Sequence, residues 1–312
     1  MLIAPTSTRE RVSHVRLASS AVLAVSGGAD SMVMATLLLE QSPVSVSAIA
    51  TFDHGTGDAA RLAVEEVAAW GALRGIPVRV GRGTALRRTE SAWRQARWEF
   101  LRGVATEFGV PVATAHTRDD QAETVFMRLL RGSGVRGLAG LLAPGPVLRP
   151  LVTLSRADVR AYAAETRVTF QEDPSNADLR YLRNRIRLEL LPALEAVEPG
   201  FREWLLDVGT RAAAWREELV KAVDDCWAPS VRDQGSVWVP RSASRLPTAE
   251  EAALFWPEVA GRIGVALDRR GTARLASFTT KQSTALQMPL SGGALVRSAR
   301  DGWTLERAGV GT

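Results

Sequence analysis

One cysteine, Cys226, stands in a chain of 312 residues. That scarcity excludes an intramolecular disulfide framework and any Cys-rich zinc or iron–sulfur site. The histidines, His14, His54 and His116, are too few and too scattered for a His-only metal centre. Lysine occurs only as Lys221 and Lys281, so no lysine in the first half can serve a G-x-x-x-x-G-K-[ST] phosphate loop. No apolar run approaches the roughly 18 residues of a membrane span. The stretch before Ala21 lacks the continuous apolar segment of a secretory leader. The expectation is a cytoplasmic protein. Internal repeats and low-complexity tracts are also missing.

What is present is a composition that can bury a sizeable core, 46% hydrophobic and 23% charged, over a length that suggests two domains. Lys plus Arg outnumber Asp plus Glu by 39 to 34, a net charge of +5. That modest excess is compatible with a nucleic-acid partner without proving one. Almost all of it is arginine, whose planar fork suits phosphate recognition.

Ala21 to Val25 is an unbroken apolar run, as expected of a parallel strand covered on both faces. A turn of small residues follows, Ser26-Gly27-Gly28-Ala29-Asp30-Ser31, and Met32 to Leu39 continues with good helix formers. Backbone N–H groups at such a helix start make a phosphate site. The same alternation recurs. Val44 to Phe52 is a strand ending at Asp53-His54-Gly55, Ala59 to Arg74 a helix, and Gly75 to Val80 a strand. Ser91 to Phe108 is a helix, Val110 to Ala115 a strand ending at His116, and Thr117 to Arg131 a helix. The pattern predicts an α/β fold with a doubly wound, mostly parallel sheet. Site residues are then expected at the carboxyl ends of its strands. Helices Arg156 to Glu165, Tyr181 to Leu191 and Pro199 to Val223 follow. A small α+β domain with short strands at 236–240, 285–290, 294–298 and 303–307 ends the chain. The predicted domains are 1–199 and 200–312. Trp204, Trp215, Trp238, Trp256 and Trp303 read as core or packing residues.

Two residue patterns leave alternatives open. Asp30 at a helix start is either favoured there by the helix dipole or placed to meet a cation beside phosphates. His116 and Asp120 share a face if their helix reaches back to His116. Otherwise Thr117 caps that helix, with Asp120 at its third position.

The Ser26 to Ser31 turn resembles the PP-loop of the N-type ATP pyrophosphatases. With it come Asp53-His54-Gly55, the block His116 to Thr124, and Arg128-Leu129-Leu130-Arg131-Gly132-Ser133-Gly134. Gly137-Leu138-Ala139-Gly140, Arg149-Pro150-Leu151, Glu172-Asp173-Pro174-Ser175-Asn176 and Tyr181-Leu182-Arg183-Asn184-Arg185-Ile186-Arg187 complete the series. Together these resemble the tRNA(Ile)-lysidine synthase family over about residues 20 to 192. The resemblance implies ligation of L-lysine to C2 of the wobble cytidine of a CAU-anticodon tRNA(Ile). ATP adenylates O2 and releases pyrophosphate, lysine attacks through its ε-amine, and AMP leaves. It implies that Ser26, Gly27, Gly28, Ala29, Asp30, Ser31 and Arg97 hold ATP, with Asp30 helping to position Mg²⁺. His116 and Asp120 would lie at the reacting centre, and Asp119, Asp120 and Glu123 are candidates for the lysine ammonium. Arg97 is as readily a solvated helix residue. Arg183, Asn184, Arg185 and Arg187 are candidates for tRNA contacts or for domain packing. The oligomeric state is left open, a homodimer being one option. Two alternative functions are base thiolation by another PP-loop tRNA enzyme and nucleotide-dependent RNA binding without catalysis.

The chain departs from the family pattern at Thr56-Gly57, where many members have Leu-Arg, and at Thr117, where many have a second His. It resembles the shorter members, which lack a further C-terminal domain.

Overall fold

The computed structural model describes residues 8–17, 19–55, 57–83, 90–172, 174–233, 235–241, 247–280, 286–290 and 293–307. The chain divides into two compact units, Met1–Ala213 and Ala214–Thr312.

The first unit carries α1 (Thr8–Val12), β1 (Ala21–Ala24), α2 (Ala29–Gln41), β2 (Val46–Asp53), α3 (Asp58–Ala72), β3 (Val78–Arg82), α4 (Glu90–Phe108) and β4 (Val112–Thr114). It continues with α5 (Arg118–Leu130), α6 (Val135–Leu138), β5 (Val147–Leu148), α7 (Arg156–Thr166), α8 (Leu182–Arg185) and α9 (Leu191–Val197). Its last element is α10 (Phe201–Trp227), within which the division between units falls.

The five strands form a parallel sheet in the order β3-β2-β1-β4-β5. The chain steps outward from β1 through β2 to β3, then returns to add β4 and β5 on the other side. The order therefore reverses between β1 and β4, where a doubly wound sheet opens its ligand crevice. Both faces are covered. Ala21 and Leu23 of β1 pack with Val33 and Leu37 of α2 and Val159 and Tyr162 of α7. Val22, pointing the other way, packs with Leu101 and Val104 of α4. Each buried Val or Leu side chain among these contributes about 1.5–3 kcal/mol.

The parallel sheet expected from the alternating pattern is present, with local differences. Helix α1 ends at Val12, whose carbonyl accepts from the Gln41 side chain (3.2 Å). Strand β5 is only two residues long and its signal is lost among prolines. A π-helical segment, Ile186–Leu190, joins α8 to α9. Pro192 has no N–H to offer Leu188, and the Leu191 N–H bonds back to the Ile186 carbonyl.

Helices α5 and α10 meet around one buried amide. Gln121 donates to the Ala139 carbonyl (3.1 Å) and accepts from the Leu141 N–H (2.6 Å). Two glycines make room for it. A Cβ at Gly140 would lie 2.5 Å from the Gln121 amide oxygen, and one at Gly209 would lie 2.4 Å from its nitrogen.

The second unit contains β6 (Ser230–Asp233), β7 (Ser236–Pro240), α11 (Ala249–Gly261), α12 (Arg269–Thr279), β8 (Leu286–Leu290), β9 (Ala294–Ser298) and β10 (Gly302–Arg307). Its strands form an antiparallel sheet ordered β6-β7-β10-β9-β8. Trp256 and Trp303 are buried among Val237, Val296 and Leu305, and the Trp256 indole donates to Thr279 Oγ1 (3.0 Å). Trp204, in the first unit, differs from the packing role expected of it. Half of its surface is exposed while its ring stacks on Phe201.

Gly140 sits at φ +61° and its Cβ position is filled, whereas Gly103 is exposed inside α4 with open space around its Cβ position. Gly140→Ala should therefore destabilise by about 1–3 kcal/mol. Gly103→Ala should stabilise by about 0.5–1 kcal/mol. Urea unfolding of both variants checks the opposite signs.

Candidate active site

The Ser26 to Ser31 turn lies at the carboxyl end of the central strand and is braced by its own side chains. Ser31 Oγ donates to the Gly28 carbonyl (2.9 Å) and accepts from the Ser26 N–H (3.1 Å). Gly27 adopts φ +87°, and a Cβ there would meet Ala63 of α3 at 3.1 Å. From the far side the Gln171 N–H donates to the Gly27 carbonyl (2.9 Å), while its side chain reaches Glu66 (2.8 Å). Gly28 caps α2 without any side-chain hydrogen bond. The first-turn N–H groups are thus left for an anion, at the positive end of a 13-residue helix.

Asp30 belongs to that first turn. Its Oδ1 is buried without a hydrogen-bond partner among the described residues. Burial, and then the nearby Asp120, push its carboxyl above the usual range, with Arg156, Arg160 and Arg187 pulling the other way.

Across the crevice, α5 opens with a capping box. Thr117 accepts from the Asp120 N–H, while Asp120 Oδ2 accepts from the Thr117 N–H (2.9 Å) and hydroxyl (3.0 Å). The capping alternative is the one realised, and the helix starts at Arg118. Asp120 Oδ1 accepts from Arg156 (3.1 Å), Arg183 (3.1 Å) and Arg187 (3.3 Å). One turn on, Glu123 is 0% exposed. It accepts from Arg187 Nε (2.7 Å), Arg183 Nε (3.0 Å) and, more distantly, Arg156 (3.4 Å). Burial alone would raise the Asp120 carboxyl, but Arg183 and Arg156 together with the Thr117 N–H hold it below the ordinary range. Asp119 accepts from the Arg156 N–H (2.7 Å) and pairs with Arg202 (3.6 Å).

His116 lies beside this cluster with Nδ1 bonded to Thr114 Oγ1 (2.9 Å). Burial lowers its imidazole to about 4; Asp120 opposes this, and Arg183, Arg149 and Arg97 add to it. Arg97 is half-buried, its Nε has no partner among the described residues, and burial followed by Arg94 lowers its proton affinity.

Several sequence candidates therefore occupy more structural positions than expected. Asp119, Asp120 and Glu123, the candidates for the lysine ammonium, each accept hydrogen bonds from arginines of the cluster. Arg183 and Arg187 are each bonded to Asp120 and Glu123. Asn184 is buried and donates to the Asp178 carbonyl (3.0 Å), and Arg185 is exposed, 3.9 Å from Glu189. Asp53 accepts from the Gly55 N–H (2.8 Å) and pairs with Arg82 (3.2 Å), closing its own loop. Thr56 and Asp173 lie outside the described residues. Sequence reasoning missed Arg156 as a member of the cluster. Its signal is a cation in the first turn of α7, where the helix dipole disfavours positive charge.

The folded chain binds a proton at His116 only near pH 4, the unfolded chain near 6.5. Between those values the unfolded state holds more protons, so stability drops as pH falls through this window and is flat above it. Urea midpoints at pH 7 and pH 4.5 should fall further for the unsubstituted protein than for His116→Gln. Equal falls would contradict a buried neutral imidazole.

The PP-loop domain family matches residues 6–194. A tRNA(Ile)-lysidine synthase from Salinispora tropica is 36% identical over 277 residues, covering 83% of this chain and 82% of that protein. Its counterpart from Rhodopseudomonas palustris is 39% identical over 226 residues, 68% of this chain and 64% of that protein. Among solved structures, the U34-tRNA thiolase NcsA from Methanococcus maripaludis shares the fold. It aligns with a TM-score of 0.55 at 19% identity, over 66% of this chain and 76% of that one. The braced glycine turn, the switch-point crevice and these relatives together place the chain in the PP-loop tRNA(Ile)-lysidine synthase family.

Proposed function

We propose that the chain ligates L-lysine to C2 of the wobble cytidine of a CAU-anticodon tRNA(Ile) at the expense of ATP. The observation that carries this reading is the pairing of an uncapped helix start with the unpartnered Asp30 oxygen at the β1/β4 switch point. The first offers N–H donors to phosphates and the second offers a hard oxygen to a cation among them. No cluster of three or more potential metal ligands occurs among the described residues. Asp30 would hold a Mg²⁺ ion brought in with the nucleotide. When bound, Mg²⁺ would offset phosphate charge that otherwise repels the Asp30 carboxylate.

In the first half-reaction the cytosine O2 attacks the α-phosphorus of ATP and the bond to pyrophosphate breaks. The turn from Ser26 to Ser31 holds the departing pyrophosphate, and Arg97 meets the nucleotide. In the second, the lysine ε-amine attacks C2 and the C2–O2 bond breaks, releasing AMP. The amine must be neutral to attack. A phosphate oxygen of the bound nucleotide can take its proton, while His116, kept neutral by burial and bonded to Thr114, is too weak a base for it and serves to position the reacting groups. Asp120 and Glu123 act as positioning residues for Arg156, Arg183 and Arg187. The second unit is assigned to tRNA binding; α12 presents Arg269, Arg270 and Arg274 with no acidic residue in the helix.

The test uses purified protein, ATP, Mg²⁺, labelled lysine and a CAU transcript, with a wobble-uridine transcript as control. Label is expected only in the cytidine transcript and only with ATP. Asp30→Asn should reduce it by about 10²-fold or more. ATP cleavage without label would indicate another acceptor, and label in both transcripts would overturn the assigned target.

A further inference from the structure

We propose that Arg149 is a phosphate-binding residue that receives an RNA backbone phosphate close to the base being modified. The proposal rests on the ligase reading above and adds a site to it. Leu148 of β5 pairs with Ala113 of β4. The next residue of β4, Thr114, bonds through Oγ1 both to the Leu148 carbonyl (3.5 Å) and to His116 (2.9 Å). Arg149 follows Leu148 directly. It therefore stands at the carboxyl end of the sheet beside His116, on the side away from the β1 turn that takes the ATP phosphates.

Its guanidinium is half-buried and makes one hydrogen bond, from Nη1 to the Val147 carbonyl (3.1 Å). Nε is inaccessible and has no partner, and no carboxylate among the described residues pairs with the group. Arg156, Arg183 and Arg187 differ sharply, each bonded to both Asp120 and Glu123. A guanidinium does not give up its proton, so an uncompensated buried charge remains beside the crevice. Such a charge is costly unless something anionic arrives to offset it.

The neighbouring cation points to the kind of anion. Arg128 of α5 is close enough to act on Arg149, with burial the larger influence. Arg128 is itself oriented by the Gly137 carbonyl. A second cation beside Arg149 matches the repeating charge of a nucleic-acid strand better than the single carboxylate of an amino acid.

Arg149→Gln keeps a donor for the Val147 carbonyl and removes the charge. Binding of a CAU anticodon stem-loop RNA is measured by fluorescence anisotropy over a salt series, alongside ATP affinity and the KM for lysine. The slope of log K against log salt should become shallower by about 0.7–0.9, with ATP affinity and lysine KM unchanged. Arg149→Lys should keep the slope yet bind RNA more weakly, because an ammonium cannot reproduce the fork. A purely structural Arg149 predicts unchanged RNA affinity in Arg149→Lys, and that result overturns the proposal even if Arg149→Gln fails to fold. An unchanged slope in folded Arg149→Gln also overturns it, and a raised lysine KM with that slope assigns the residue to the lysine carboxylate. RNA binding by the unsubstituted protein with no response in either variant removes only this proposal. Absence of RNA binding by the unsubstituted protein removes the ligase reading as well.

Discussion

Two carboxylates on one turn of α5 hold the first unit's helices in place around its crevice. Asp120 and Glu123 are 7% and 0% exposed, and together they bind the guanidinium groups of Arg156, Arg183 and Arg187. Those arginines come from α7, α8 and the π-helical segment, distant in sequence from α5. Charges this deep are tolerated only when every one is paired and hydrogen-bonded. The cluster meets that condition by drawing three segments onto one helix end. Two local irregularities lie beside the cluster. Arg156 stands where the α7 dipole opposes it, and its own N–H is tied to Asp119. Pro192 breaks the α-helical bonding pattern just beyond Arg187, and the chain responds with a π-helical turn.

Against that paired cluster, three of the eight buried side-chain polar atoms without a hydrogen-bond partner among the described residues are informative, because they lie around Asp120 and His116. Asp30 Oδ1, Arg97 Nε and Arg149 Nε are buried and unpaired among the described residues. All three belong to residues that act on Asp120 or His116, or are acted on by them. Orphaned buried groups are expensive in a finished core and ordinary at a surface awaiting a ligand. One is acidic and two are basic. That division suits the proposed site, which would hold a cation among phosphates on one side and meet further negative charge on the other.

The sheet and the phosphate turn were legible because they rest on local pattern. A continuous apolar strand, two glycines and a helix former run specify the β1–α2 unit almost alone. Strand β6 was not legible, since all four of its residues are exposed and no alternation marks it. The ion cluster was half legible. Asp120 and Glu123 at i and i+3 announce a shared helix face, and the arginines after Tyr181 stand out in the sequence as candidates for contacts. Their pairing spans sixty residues or more (Arg183 to Glu123 is 60 apart, Arg187 to Glu123 is 64) and depends on tertiary packing, which spacing does not encode. Gly140 was visible as part of a motif. Its reason, the amide of Gln121 occupying the place of a Cβ, was not.

The most direct test of this account is a double-mutant cycle between Glu123 and Arg187, read by urea unfolding with Glu123→Gln, Arg187→Gln and the double variant. If the cluster organises the unit, each single change leaves an uncompensated buried charge and costs about 3–5 kcal/mol. The double change should then cost less than the sum by about 1 kcal/mol or more. Single losses below about 1 kcal/mol that add within about 0.5 kcal/mol would contradict it.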